Sequence, residues 1–125
     1  MQYVNETLPV KTYKRFCKVL ELKNDPELIE AYKAWHAPGG VWPEIIAGLH
    51  EVGVIDMEIY LHGTLLIMIM DTEASFDHHR DMGQLAGLPR QAEWEALMGR
   101  FQDENSFVSP TEKWRSIERV FKLDA

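Results

Sequence analysis

A single cysteine, Cys17, is all the thiol this 125-residue chain possesses, so no internal disulfide can form. Set among apolar residues, it reads as a small core filler, and a reducing compartment, the cytoplasm, is expected. Long apolar runs are missing too. The most hydrophobic stretch, Thr64 to Met70, is one strand long, well short of the roughly 20 residues that span a bilayer. Met1 to Pro9 lacks the basic and apolar regions of an export signal. Positive charge is scarce: 13 Lys and Arg stand against 20 Asp and Glu, for a formal net charge of -7. Nucleic-acid binding draws on clustered Lys and Arg, so that partner class is disfavoured, and a small neutral substrate fits better.

Absent motifs narrow the chemistry further. There is no G-x-G-x-x-G, P-loop or G-x-S-x-G segment, which removes support for nucleotide and serine-hydrolase chemistry. No C-x-x-C or H-x-x-x-H pair exists, and the adjacent His78 and His79 point apart on a helix, so neither a metal nor a cofactor is expected. His62 reads as a hairpin-turn residue and His50 as an outer helix position.

What is present is the composition of an ordinary globular protein, 46% hydrophobic and 26% charged, at a length that suits one domain. We expect a single domain over residues 1–125, with its core at about 13–123 and residues 1–12 as an N-terminal extension. Tyr13 to Leu22 has the pattern of a strand with one well-buried face. Asn24-Asp25-Pro26-Glu27 supplies a cap, an early proline and early negative charge for a helix running to about His36. Pro38-Gly39-Gly40 interrupts it, and Trp42-Pro43-Glu44 opens a second helix that ends before Gly53.

Val54 to Leu61 alternates as a strand, His62-Gly63 suits a hairpin turn, and Thr64 to Met70, apolar on both faces, belongs at the centre of a sheet. A helix from about Ser75 to Gly87 follows. Another begins at Pro89 and carries Trp94, Leu97, Met98 and Phe101 on one side. Gln102 to Thr111 is a loop, and Lys113 to Leu123 alternates as a closing strand. This order predicts an α+β, ferredoxin-like split βαβ domain with helices on one face of an antiparallel sheet. The uncovered sheet face then calls for a homodimer.

Chemistry concentrates on the first helix. Tyr32, Trp35 and His36 stand at i, i+3 and i+4, on one side, just before the glycine loop and Trp42. Histidine, with an unperturbed pKa of ~6.5, gives and takes protons near neutrality. Tyrosine donates a hydrogen bond to a hydroxyl, and tryptophan offers an apolar face to a sugar ring.

The segment Tyr32-Lys33-Ala34-Trp35-His36-Ala37-Pro38-Gly39-Gly40-Val41-Trp42-Pro43-Glu44 resembles the Y-x-x-x-H-x-x-x-W-P-E signature of the L-rhamnose mutarotase family, with a small insertion in the loop. The similarity extends from Tyr13 to Leu123. It implies a dimeric α+β barrel, without cofactor, that interconverts the α and β anomers of a free 6-deoxy-hexose such as L-rhamnose or L-fucose. His36 then corresponds to the proton donor and Tyr32 to a sugar contact. Of the family's tryptophan pair, the second aligns with Trp94 and the first with Glu93, while a tyrosine of the second strand aligns with Met57. Trp42 completes the expected substrate-binding set.

Two other readings use the same fold. One is a cofactor-free monooxygenase or haem protein of the dimeric barrel type. The other is a non-catalytic sugar-binding subunit.

Overall fold

In the computed structural model, which describes residues 13–109 and 112–124, strand β1 (Tyr13–Glu21) buries Lys18 and Leu20 on one face. Helix α1 (Pro26–Trp35) starts where Asp25 caps it, its side chain accepting from the N–H groups of Glu27 and Leu28 at 2.9 and 3.3 Å. Helix α2 (Pro43–Glu51) also opens on proline. The chain then turns at Gly53, whose φ of 102° suits glycine, into β2 (Val54–His62). The expected N-terminal extension at 1–12 lies outside the described residues, as do residues 110 and 111 of the Gln102–Thr111 loop.

Strands β2 and β3 (Leu65–Glu73) form the expected hairpin, with Gly63-Thr64 as its two-residue turn and Gly63 at φ 62°. The turn sits one residue later than His62-Gly63, because His62 still pairs with Leu65. Helices α3 (His78–Ala86) and α4 (Gln91–Gly99) follow, and β4 (Arg115–Ser116) closes the sheet. The antiparallel order β2-β3-β1-β4 is that of a ferredoxin-like α+β fold.

One core cluster joins Leu20 and Leu66 of the sheet to Tyr32, Ile45, Trp94 and Met98 of the helices. A second joins Met68 and Met70 to Phe76 and Leu85. Among the described residues, no helix is long and apolar enough to cross a membrane.

Three boundaries differ from the sequence reading. Helix α3 begins at His78 and not near Ser75, because Asp77 accepts from Arg80 N–H while Asp81 accepts from Asp77 N–H, both at 2.8 Å, closing a reciprocal cap. Helix α4 begins at Gln91, since Arg90 takes a left-handed φ of 63° and holds Pro89 outside the helix. The closing strand is far shorter than Lys113 to Leu123. It pairs only Ser116 with Lys18 and Arg115 with Val19, and beyond it Val120, Phe121 and Leu123 are 91%, 75% and 83% exposed. Alternation announced a half-buried strand, but no described element of the chain lies against these side chains.

Candidate active site

Helix α1 ends on the site. His36 is its C-cap, and the helical repeat stacks its ring on that of Tyr32, with centroids 4.2 Å apart. Its Nδ1 lies 2.8 Å from the Tyr32 carbonyl oxygen. A carbonyl only accepts, so Nδ1 carries the proton and Nε2 keeps the free lone pair. Burial pushes the His36 pKa below its ordinary value, against a smaller opposing pull from that hydrogen bond, so the ring is neutral at pH 7. Burial also raises the Tyr32 phenol, helped by the negative charge of Glu95, and keeps it a protonated donor.

The glycine loop is a tight turn. Gly40 N–H donates to Ala37 O at 2.8 Å, and a Cβ on Gly40 would sit 2.4 Å from Trp35 O, so only glycine fits. The turn returns the chain so that Trp42 meets Trp94 edge-on at 5.1 Å. Trp94, 6% exposed, presents its ring to His36 at 5.7 Å and to Trp35 at 6.2 Å. Arg90 lies over the Trp42 ring at 3.8 Å while pairing with Glu44 and Glu93 at 3.5 Å each. The left-handed Arg90 backbone is the local strain that seats this stack, a conformation costing about 1–2 kcal/mol for a non-glycine residue.

Beside this stack lies a cavity of about 460 Å³ between sheet and helices, within the size range of small-molecule sites. Tyr32, His36 and Trp94 form part of its wall, and Met57, Met68, Met70 and Met82 give it an apolar side. Its polar lining comes from Lys18, His50, Asp56, Gln91, Glu95 and Gln102, with the Trp114 indole beside them. Lys18 is 4% exposed on the sheet floor, with its Nζ 2.6 Å from His78 Nε2, and burial lowers its pKa. Among the described residues no group of His, Cys, Asp or Glu is arranged to hold a metal ion.

A model of the L-rhamnose mutarotase family matches residues 15–123, which include this entire wall. The chain belongs to the L-rhamnose mutarotase family. It is 42% identical over 110 residues to an L-fucose mutarotase of Xanthomonas campestris, covering 88% of each chain. It is 31% identical over 86 residues to an L-rhamnose mutarotase of Flavobacterium johnsoniae, covering 67% of this chain and 75% of that one. Among solved structures, an L-rhamnose mutarotase of Formosa agariphila superposes with a TM-score of 0.65 at 21% identity, over 89% of this chain and 99% of the other. Mutarotases are isomerases, and the fold shared with the solved structure is the ferredoxin-like one.

Within this mutarotase-family chain, the expected site residues divide into three groups. His36, Tyr32, Trp94 and Met57 border one cavity. Trp42 stands behind Trp94 and supports it. Glu93 is not among the residues that line this cavity: its side chain is 65% exposed and paired with Arg90. The wall residue is Glu95, two positions on, which helical geometry carries to another side of α4.

Sequence reasoning also missed Lys18, Gln91, Gln102 and Trp114. Lys18 had a visible signal, a charge at an inward position of β1 between Phe16 and Leu20. Gln91 and Glu95 had the i, i+4 spacing of a helical hydrogen-bonded pair. Gln102 had none, because it belongs to a segment that reads as loop.

Proposed function

We propose that this protein is a mutarotase that exchanges the α and β anomers of a free 6-deoxy-hexose, L-fucose foremost and L-rhamnose second. One observation carries the reading: a neutral His36 with Nδ1 tied to backbone and Nε2 free, in the wall of a cavity sized for a monosaccharide. The preference for L-fucose is supported by the 42% identity to the Xanthomonas enzyme of that name.

The reaction needs no electrons and no group transfer. Nε2 of His36 takes the proton from the O1 hydroxyl. The C1–O5 bond breaks as the C1=O1 carbonyl forms, and O5 receives the proton from the imidazolium. O1 and O5 share C1, so one nitrogen placed opposite C1 serves both. Rotation about C1–C2 presents the other carbonyl face, and the reverse steps close the ring. Tyr32 orients the sugar and Trp94 packs against it. General acid–base catalysis contributes about 10²- to 10⁴-fold, adequate for a reaction that water already performs slowly.

The pH profile tests the starting protonation state. With neutral His36 as the active form and its pKa below the ordinary histidine value, kcat/KM for L-fucose should be level across neutral pH and fall only in acid. A rate that falls as pH rises through neutrality would instead require a histidine that starts protonated, and would overturn this order of steps.

A homodimer, working in the cytoplasm, belongs to the same reading. It is supported by the exposed Val120, Phe121 and Leu123 and by the half-buried outer sheet face of Cys17, Val19, Ile67 and Ile69. Sedimentation equilibrium should give twice the 14.5 kDa chain mass, and Phe121→Asp with Leu123→Asp should shift it toward one. An unaltered mass in the double variant would remove Phe121 and Leu123 from the interface.

A further inference from the structure

Gln102 breaks a rule that the other described residues keep. It is 3% exposed, and its Oε1 is the one buried side-chain polar atom without a hydrogen-bond partner among the described residues. Burying an amide oxygen without a partner opposes folding, and native proteins retain few such atoms without a reason. The position is also rigidly held. Gln102 bridges Leu22, Lys23 N–H donates to Phe101 O at 2.9 Å, and Asp103 N–H donates to Glu21 O at 2.9 Å. The backbone is clamped on both sides, and the side chain lines the cavity that His36 lines.

A second acceptor, Glu95, lines the same cavity on a side chain 47% exposed. Glu95 Oε1 accepts from Gln91 Nε2 at 3.0 Å, and Gln91 is itself 7% exposed. Glu95 Oε2 lies 3.4 Å from Lys113 Nζ, which also donates to the Glu95 carbonyl at 3.0 Å. Each carboxylate oxygen retains a free lone pair, so Glu95 is fixed in place with accepting capacity to spare.

We propose that Gln102 and Glu95 read the hydroxyl pattern of the substrate, Gln102 Oε1 accepting the proton of one ring hydroxyl and the Glu95 carboxylate that of another. This rests on the monosaccharide reading above. The sugar's hydroxyls are donors that neutral His36, engaged at C1, cannot all satisfy; the methionine side chains offer them no strong acceptor, and Asp56, which also borders the cavity, is exposed with its Oδ1 already accepting from Met57 N–H at 2.9 Å. The two residues are therefore specificity determinants. The orphan oxygen is a stability loss tolerated in the free protein and recovered when sugar binds.

Gln102→Met conserves volume and removes the amide, so it separates the two roles. Expected are a kcat/KM for L-fucose lower by about ten- to a hundredfold, carried mainly by KM, and a Tm of the free protein equal to or above that of the wild type. Among L-fucose analogues each lacking one of the hydroxyls at C2, C3 or C4, one should show no penalty from the substitution, and it identifies the hydroxyl. Calorimetric titration with L-fucose should show the same loss.

A variant with unchanged kcat/KM and unchanged binding overturns the assignment while leaving the mutarotase reading intact. So does one whose Tm falls along with its activity, since that marks a structural amide. A wild type that binds L-fucose without exchanging its anomers ends the mutarotase reading alone, and the titration of the variant then decides the contact. A wild type that neither binds nor converts L-fucose or L-rhamnose overturns both.

Discussion

His36→Asn should lose about 10²- to 10⁴-fold in catalysed anomer exchange while keeping its fold. The asparagine amide nitrogen takes the place of Nδ1 and can still donate to the Tyr32 carbonyl, the contact made at 2.8 Å by the native ring. What disappears is Nε2, the only ring nitrogen free to take the O1 proton. Stability should change little, because His36 is only half-buried and its backbone bonds to Tyr32 O and Lys33 O remain. Circular dichroism and the melting temperature check that half of the expectation, and exchange rates check the other. A variant as fast as the wild type would move the proton transfer to another group of the cavity.

Trp94→Ala is the second large effect, and it falls on stability and activity together. The indole is 6% exposed and meets Trp35, Trp42 and His36 in ring contacts at 6.2, 5.1 and 5.7 Å. Removing a large buried aromatic costs about 3–5 kcal/mol, which for a domain of this size lowers Tm by roughly 10 to 20 °C. Activity should fall even at temperatures where the variant is folded, since the His36 ring loses one of its two aromatic walls. Trp94→Phe separates the effects: most of the stability returns, while KM stays raised because the smaller ring covers less of the sugar. A Trp94→Ala variant that melts within a few degrees of the wild type would show that this ring stack contributes little to stability.

Much of this was readable from the chain, for identifiable reasons. Tyr32 and His36 share a side because i and i+4 stack on a helix, and the Asp25 cap and Pro26 fixed where that helix begins. Gly63 and Gly53 marked turns through the backbone angles they allow. The hairpin of β2 and β3 followed from alternation and from a strand apolar on both faces.

The errors have equally local causes. Glu93 and Glu95 are two residues apart, about 200° around a helix, so attention to Glu93, the position aligned with the family's first tryptophan, left unnoticed that Glu95 is the carboxylate lining the cavity. The closing strand was overestimated because alternation reports what a segment can pair with, and β1 is paired by only two residues of β4. Gln102 was invisible because its importance lies in a missing partner, which only three-dimensional packing reveals. Lys18 could have been found, as a charge in the inward row of a strand is a departure from the rule that builds the strand.

The central claim is that this protein exchanges sugar anomers through one neutral histidine. Saturation-transfer NMR on L-fucose at neutral pH tests it most directly: saturating the H1 line of the α anomer and watching that of the β anomer, with wild type and with His36→Asn. The account predicts transfer with the wild type, and with the variant no more than the sugar shows alone. Equal transfer with both proteins, or none with the wild type, would contradict it.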